Sequence, residues 1–217
     1  MSLHEVDRIL ALLGGLGEKA AQSDRVLHCG ATRKEREEIG VLLAANGVGE
    51  GEKLAGIAPG SVWATKRWTP EGFAEVGEKL SKSGFRVLLV GGPEDRALCE
   101  EIASKIGGNS LSIAGKSSLK ALSALMERLS LFIVNDSAPL HVAMAKKVPT
   151  VAIFGATVRE LGFYPLNENS RVVEVGLDCR PCGLHGGNSC PRGHFRCMKD
   201  ITPRMVLDAC GELLEDR

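Results

Sequence analysis

The sequence predicts an α/β fold, one parallel sheet with helices packed over both faces. Three observations predict it. From about residue 54 onward, short apolar strand patterns alternate with helical patterns of roughly ten residues. Strands such as Val87-Leu88-Leu89-Val90 have no polar side, as a sheet covered on both faces requires. Each strand is followed by a small, glycine-bearing or hydrogen-bonding turn: Pro59-Gly60-Ser61, Gly91-Gly92-Pro93, Gly115-Lys116-Ser117, Asn135-Asp136-Ser137 and Gly155-Ala156-Thr157. Ligands of such sheets bind beyond the carboxyl ends of the strands, so these turns are where a nucleotide cleft is expected.

The elements follow in order. Val6, Ile9, Leu10 and Leu13 recur at helical spacing over residues 4–13, and Gly14, Gly15 and Gly17 stop that helix. A second helix runs from Thr32 to the Asn46-Gly47 stop. Residues 54–58 are the first strand, broken by Pro59-Gly60. Thr69-Pro70 starts a helix to about residue 81, with proline at the first helical position. Residues 85–90 form a strand, 94–106 a helix and 111–114 a short strand. Ser117 or Ser118 caps a helix to about residue 128. Residues 131–134, 150–154 and 172–175 read as strands, 138–146 as a helix, and Thr202-Pro203 opens a final helix to residue 214. Residues 176–200 break the alternation and read as an inserted loop.

Composition excludes several classes. With 44% hydrophobic and 25% charged residues and 27 basic against 27 acidic side chains, the chain is neither disordered nor a basic nucleic-acid binder. No apolar run approaches the roughly 18 residues of a membrane span, and no secretory leader pattern opens the chain. Seven cysteines are too few for a disulfide scaffold of this length.

Two apparent motifs fail. Gly15-Leu16-Gly17-Glu18-Lys19-Ala20 has dinucleotide-fingerprint spacing but follows a helical pattern where a strand is required. Gly115-Lys116-Ser117 mimics the end of a phosphate loop, yet the first glycine's place is taken by Ser110. No Asp-x-Asp occurs, so paired carboxylates for a divalent ion on a sugar diphosphate are missing.

Two segments carry the chemistry. Asn135-Asp136-Ser137-Ala138-Pro139-Leu140-His141 follows a buried strand and opens a helix, whose free first-turn amides are an anion site. Ser137 and His141 stand four apart and are expected to face one opening; the alternative is an Asp/Ser cap with a buried histidine. In Pro59-Gly60-Ser61-Val62-Trp63-Ala64-Thr65-Lys66-Arg67-Trp68, two tryptophans bracket a Lys-Arg pair in a loop. Lys66 is placed to offset charge on a departing diphosphate; a solvated basic loop pinned by its tryptophans is the alternative.

These segments, with Gly91-Gly92-Pro93-Glu94-Asp95 between them, resemble the C-terminal domain of glycosyltransferase family 9, the heptosyltransferases. His4-Glu5-Val6-Asp7-Arg8 is similar to the family's segment after its first domain, and Phe154-Gly155-Ala156-Thr157 to its late nucleotide loop. The resemblance implies a Rossmann-like domain of the GT-B architecture that binds ADP-heptose or a related nucleotide sugar. It implies inverting, metal-independent transfer of heptose to the lipopolysaccharide inner core (lipid A-core), with no cofactor. Lys66 would contact the diphosphate as the catalytic cation, helped by Ser61 and Val62. Glu94 or Asp95 would bind hydroxyls, Ser117 would lie near the base, Asp136 would hold the sugar, Ser137, Ala138 and His141 would surround the phosphates, and Thr157 would assist. The acceptor would be met through an N-terminal domain that also supplies the general base.

About 50 residues precede the first strand, against roughly 100–150 for a further domain. The expectation is therefore an excised donor domain over 51–217, with helices and a linker over 1–50, inactive in transfer by itself. Met1-Ser2-Leu3 reads as an expression scar. The setting expected is cytoplasmic, at the inner face of the inner membrane. Cys179-x2-Cys182-x7-Cys190-x6-Cys197, with His185 and His194 nearby, admits a zinc site or free thiols. Residues 177–199 carry Arg180, Arg192, Arg196 and Lys199 against Asp178, so contact with a phosphorylated lipid surface is open beside a solvated loop. The competing functions are a GT-B transferase using another nucleotide sugar, a nucleotide-sugar epimerase of similar fold, or a non-catalytic zinc-stabilised module.

Overall fold

The computed structural model describes residues 3–18 and 25–215. Met1, Ser2, Lys19 and Ala20, which enter two of the sequence readings, lie outside the described residues. Six strands form one all-parallel sheet: β1 Leu54–Ala58, β2 Arg86–Leu89, β3 Ser110–Ser112, β4 Leu129–Asn135, β5 Thr150–Ile153 and β6 Ser170–Val173. Their order is β3-β2-β1-β4-β5-β6. The direction of strand addition reverses between β1 and β4, and loops leaving a sheet at such a point diverge and open a crevice.

Alternation along the strands builds two cores. Ala55, Ile57, Val87, Leu89, Leu131 and Ile133 face one side and meet Phe73 and Val76 of α3 (Pro70–Lys82), Ile102 of α4 (Arg96–Ile106) and Val206 of α8 (Pro203–Glu215). Leu54, Ala58, Leu88, Phe132 and Val134 face the other and meet α2 (Arg33–Ala45), α5 (Leu119–Met126) and α6 (Ala138–Ala145). The period of two in a strand sends neighbours to opposite faces, and both faces are apolar here because both are covered. Gly56 is required at the centre of β1, since a Cβ there would stand 2.7 Å from Leu129 Cδ1 and 2.8 Å from Phe132 Cδ2.

Local chemistry sets the helix starts. Thr69 Oγ1 accepts from the Gly72 amide at 3.2 Å with Pro70 in the first turn. Ser118, and not Ser117, caps α5 by accepting from the Ala121 amide at 3.1 Å. At α2 the Thr32 amide donates back to Glu35 at 2.8 Å, a reciprocal cap. α1 (Glu5–Gly14) buries none of its residues. It is held at its start, where His4 Nδ1 accepts from Val6 and His4 Nε2 donates to the Tyr164 carbonyl at 2.9 Å.

Several boundaries shift from the sequence reading. Residues 93–95 form a 3-10 turn and the α-helix begins at Arg96. β4 starts at Leu129, two residues early, and β6 spans Ser170–Val173. The basic segment taken as a loop contains a 3-10 turn, Ala64–Lys66. The 176–200 segment contains α7, Arg196–Lys199. Such one-turn helices are too short to show a periodicity.

Glu127 ties three helices together at their ends. It accepts from Arg36 Nε at 2.8 Å and Lys146 Nζ at 2.7 Å. The Arg36 hydrogen bond, seconded by Lys146 against partial burial, holds its carboxyl down at about 2. The resulting stability is present above the ordinary 4.5 and is lost as pH falls toward 2. Glu127→Gln is therefore expected to cost about 1 kcal/mol at pH 7, the ion pair being partly solvent-screened. Denaturant titrations of the two proteins should converge near pH 2.

Candidate functional site

A cavity of about 550 Å³ opens at the carboxyl ends of the strands flanking the β1/β4 reversal. Gly60, Ser61, Val62 and Arg67 line it from the segment after β1, and Gly91 to Asp95 from the turn after β2. Ser117 to Leu119 close it after β3, and Ser137, Ala138 and Pro139 after β4. Four of the five predicted turns thus meet at one opening. The fifth, Gly155-Ala156-Thr157, does not line it.

Of the predicted site residues, Ser61, Val62, Glu94, Asp95, Ser117, Ser137 and Ala138 line the cavity. Lys66, Asp136, His141 and Thr157 do not; they gather in a second, more buried group beside it. Lys66 Nζ lies 2.7 Å from Asp136 Oδ2, their side chains 14% and 5% exposed. The Thr157 hydroxyl donates to the same oxygen at 2.6 Å. His141 neighbours this group electrostatically. Burial holds its imidazole below the ordinary value, Asp136 pulls it upward, and His4 and Lys66 push it down.

Ser137 and His141 do not share an opening as their spacing suggested. Ser137 is the residue before α6 and is extended (φ −154°, ψ 170°), so the helical four-residue rule does not reach it. Nor does its side chain cap the helix; Ser137 Oγ donates to the Asn135 carbonyl at 3.3 Å instead. The start of α6 therefore faces the cavity rim without a side-chain cap, an orientation suited to an anion.

Two carboxylates stand on the opposite wall in different states. Asp95 accepts from the Gly92 amide at 3.0 Å and packs so closely on Gly60 that a Cβ there would come within 2.2 Å of Asp95 Oδ1. Asp95 is thus engaged in shaping the wall, while Glu94 is exposed at the mouth.

Three contributors were not singled out from the sequence. Asn135 is fully buried and bridges the two central strands: its Nδ2 donates to the Pro59 carbonyl at 2.8 Å and its Oδ1 accepts from the Trp68 amide at 3.0 Å. Arg67 lines the cavity and donates to the Ser61 carbonyl at 2.7 Å. Arg180 has a buried side chain that holds backbone carbonyls around Thr157. Their signals were position after a strand for Asn135 and adjacency to Lys66 for Arg67; nothing local marked Arg180. The tryptophans also divide. Trp68 is buried edge-on to Phe73 at 5.0 Å and donates from Nε1 to the Ile201 carbonyl at 3.1 Å, whereas Trp63 is exposed.

The cysteines are all free thiols. Among the described residues, no group of three or more His, Cys, Asp or Glu is placed to hold a metal ion. Cys179 Sγ lies 3.8 Å from His194 Nε2. The Cys190 thiol accepts from the Phe195 amide at 3.4 Å, and that hydrogen bond leads in lowering its pKa. Burial raises Cys99 and Cys210 to about 12 and Cys197 to about 11, marking them as inert core groups. The basic surface of this segment is smaller than its composition implies: the Arg180 side chain is buried, while Arg192, Arg196 and Lys199 are exposed and Arg196 is paired with Asp200 at 2.8 Å. No helix among the described residues is long and apolar enough to cross a membrane.

The chain matches the family model described as glycosyltransferase family 9 (heptosyltransferase) over residues 2–188. It is 34% identical over 170 residues to lipooligosaccharide heptosyltransferase 2 of Campylobacter jejuni subsp. jejuni serotype O:2, covering 76% of this chain and 52% of that protein. The chain thus spans about half the length of the curated relatives it matches. Among solved structures it is similar to the family 9 glycosyltransferase of Veillonella parvula DSM 2008, with a TM-score of 0.86 and 24% identity over 100% of this chain and 61% of that one. It is also similar to E. coli ADP-heptose lps heptosyltransferase II, with a TM-score of 0.71 and 23% identity over 87% of this chain and 54% of the other. The structural likenesses carry the fold, a GT-B-type α/β domain, and the sequence matches carry the kinship: the chain belongs to glycosyltransferase family 9, the heptosyltransferases.

Proposed function

We propose that this chain is the donor-binding part of a heptosyltransferase of lipopolysaccharide core synthesis, over residues 51–217, with residues 1–50 as the helices and linker that lead into it. The observation that carries the reading is the Lys66 ammonium, held 2.7 Å from Asp136 beside the uncapped start of α6 at the sheet's reversal point. A pyrophosphate bridging Ser61 and the Ser137-Ala138 amides meets a cation and a helix dipole there with no divalent ion. The base lies toward Ser117, Glu94 takes hydroxyls at the mouth, and Asp136 takes a hydroxyl of the sugar. The donor is ADP-heptose or a related nucleotide sugar.

When the glycosidic bond to the diphosphate breaks, negative charge grows on the leaving oxygen. Lys66 is placed to offset that charge as it forms, which lowers the barrier more than it stabilises the bound donor. Attack from the opposite face inverts the anomeric centre. In this reading the lipid A-core acceptor and the general base are met through an N-terminal domain, and residues 51–217 are expected to bind donor weakly and to transfer nothing by themselves. The enzyme would work in the cytoplasm at the inner face of the inner membrane, where Arg192 and Lys199 suit anionic headgroups.

Calorimetry tests the reading. ADP is expected to bind more tightly than UDP, and Lys66→Ala to lose most of the heat. Indistinguishable heats from the two proteins would overturn it. Preference for UDP would favour a transferase or epimerase with another donor, and unfolding by chelator without nucleotide affinity would favour a zinc-stabilised module.

A further inference from the structure

The segment 177–187 reaches both partners of the Asp136 carboxylate. At one end the Arg180 side chain, 5% exposed, lies beneath the turn after β5. Its guanidinium donates to the carbonyls of Phe154 at 3.4 Å, Thr157 at 2.7 Å, and Gly155 and Val175, and it pairs with Glu174 at 2.7 Å. The Cys182 amide donates to the Ala156 carbonyl at 2.9 Å. Each successive carbonyl from Phe154 to Thr157 is therefore held by this one segment. Arg180 itself takes three of these carbonyls together with Val175 and Glu174, five partners that a planar five-donor fork can reach and a three-donor ammonium cannot.

At the other end the segment grips the Lys66 turn. The Thr65 amide donates to the Gly187 carbonyl at 3.0 Å, and the Gly187 amide donates to Thr65 Oγ1 at 2.8 Å. Gly186 sits at φ +84°, where a Cβ would come within 2.9 Å of Thr65 Oγ1 and 3.1 Å of Lys66 Cγ. The backbone here is pressed against the stem of the lysine, and only glycine fits both the dihedral and the space.

We infer that residues 177–187 are a positioning clasp for the Asp136 centre. Arg180 sets the turn that presents the Thr157 hydroxyl, and Gly186-Gly187 sets the turn that presents Lys66. Hydroxyl and ammonium thereby meet one carboxylate oxygen before a ligand arrives. The geometric half of this inference stands alone; its consequence for ligand binding rests on the proposed donor site.

The test uses Arg180→Lys, Arg180→Ala and Gly186→Ala in the intact chain, with two readouts. The first is NMR without nucleotide. Displacing the Lys66 ammonium removes a downward push on His141, so Gly186→Ala should raise the His141 titration midpoint toward that of Lys66→Ala. Arg180→Lys should shift the Thr157 resonances although charge is retained. The second readout is ADP affinity, expected to fall about tenfold or more in Arg180→Lys and Gly186→Ala. Methylguanidinium should restore it in Arg180→Ala, and adding Thr157→Val to that variant should cost little more. An Arg180 that only stabilises the fold would lower the melting temperature without these signatures. If Arg180→Ala does not fold, the other two variants carry the test. An unmoved His141 midpoint in Gly186→Ala, with unshifted Thr157 signals in Arg180→Lys, overturns the clasp. Moved signals with wild-type ADP affinity overturn its role toward ligand. A wild-type chain that takes no ADP defeats the donor site instead, and the NMR readout still decides the clasp.

Discussion

Lys66→Ala is expected to lower stability by about 3 kcal/mol and ADP affinity by about 10- to 100-fold. Both losses have one origin. The Asp136 side chain is 5% exposed, and its Oδ2 receives the Lys66 ammonium and the Thr157 hydroxyl. Without the ammonium, a buried carboxylate keeps its desolvation cost and loses its counter-charge. The affinity loss follows because a charge-assisted contact to phosphate disappears, and because the unpaired Asp136 anion now repels the diphosphate. A double-mutant cycle separates the two effects. Lys66→Ala with Asp136→Asn should recover much of the stability, since no charge remains buried, but should not recover the affinity. Denaturant unfolding measures the first and calorimetry the second. Additive stability losses would show that the pair is not coupled in the folded protein.

Gly60→Ala is expected to remove nucleotide binding almost entirely, by about 100-fold or more, while costing about 1–3 kcal/mol of stability. The new Cβ would stand 2.2 Å from Asp95 Oδ1 and 2.4 Å from Asp95 Cγ. The carboxylate must give way, breaking its bond from the Gly92 amide and moving into the cavity that both residues line. A displaced anion beside Glu94 then opposes a diphosphate by charge as well as bulk. Asp95→Ala makes room for the methyl group, so the stability cost of Gly60→Ala should largely vanish in that background. A cost that persists there would show that the backbone, and not the carboxylate, resists the substitution.

Most of the scaffold was legible because its causes are local. Leu54–Ala58 matched its predicted bounds, since a buried strand followed by Pro59-Gly60 leaves little choice of end. Thr69-Pro70 and the Ser117-Ser118 pair announced helix starts, and the structure shows the hydrogen bonds, made within three residues, at Thr69 and Ser118. The parallel α/β class followed from alternation, and the family, with the Rossmann-like domain it implies, from segments whose order resembles that of its members. Failures came where a rule of regular structure was applied at an irregular residue. Ser137 was paired with His141 on a helical face, yet it sits in extended backbone just outside the helix.

By itself, then, the sequence determined the parallel sheet, the two-sided cover of helices, and the turns that would carry the site. Each depends on periodicity or on contacts a few residues long. Only the tertiary structure decided that Lys66 and Thr157 converge on one oxygen of Asp136, that Glu94 and not Asp95 is exposed at the mouth, and that Arg180 lies buried beneath them. The two contacts on Asp136 join residues 21 and 70 positions apart. They are fixed by the strand order and by how closely separate loops approach, and no local pattern encodes that distance.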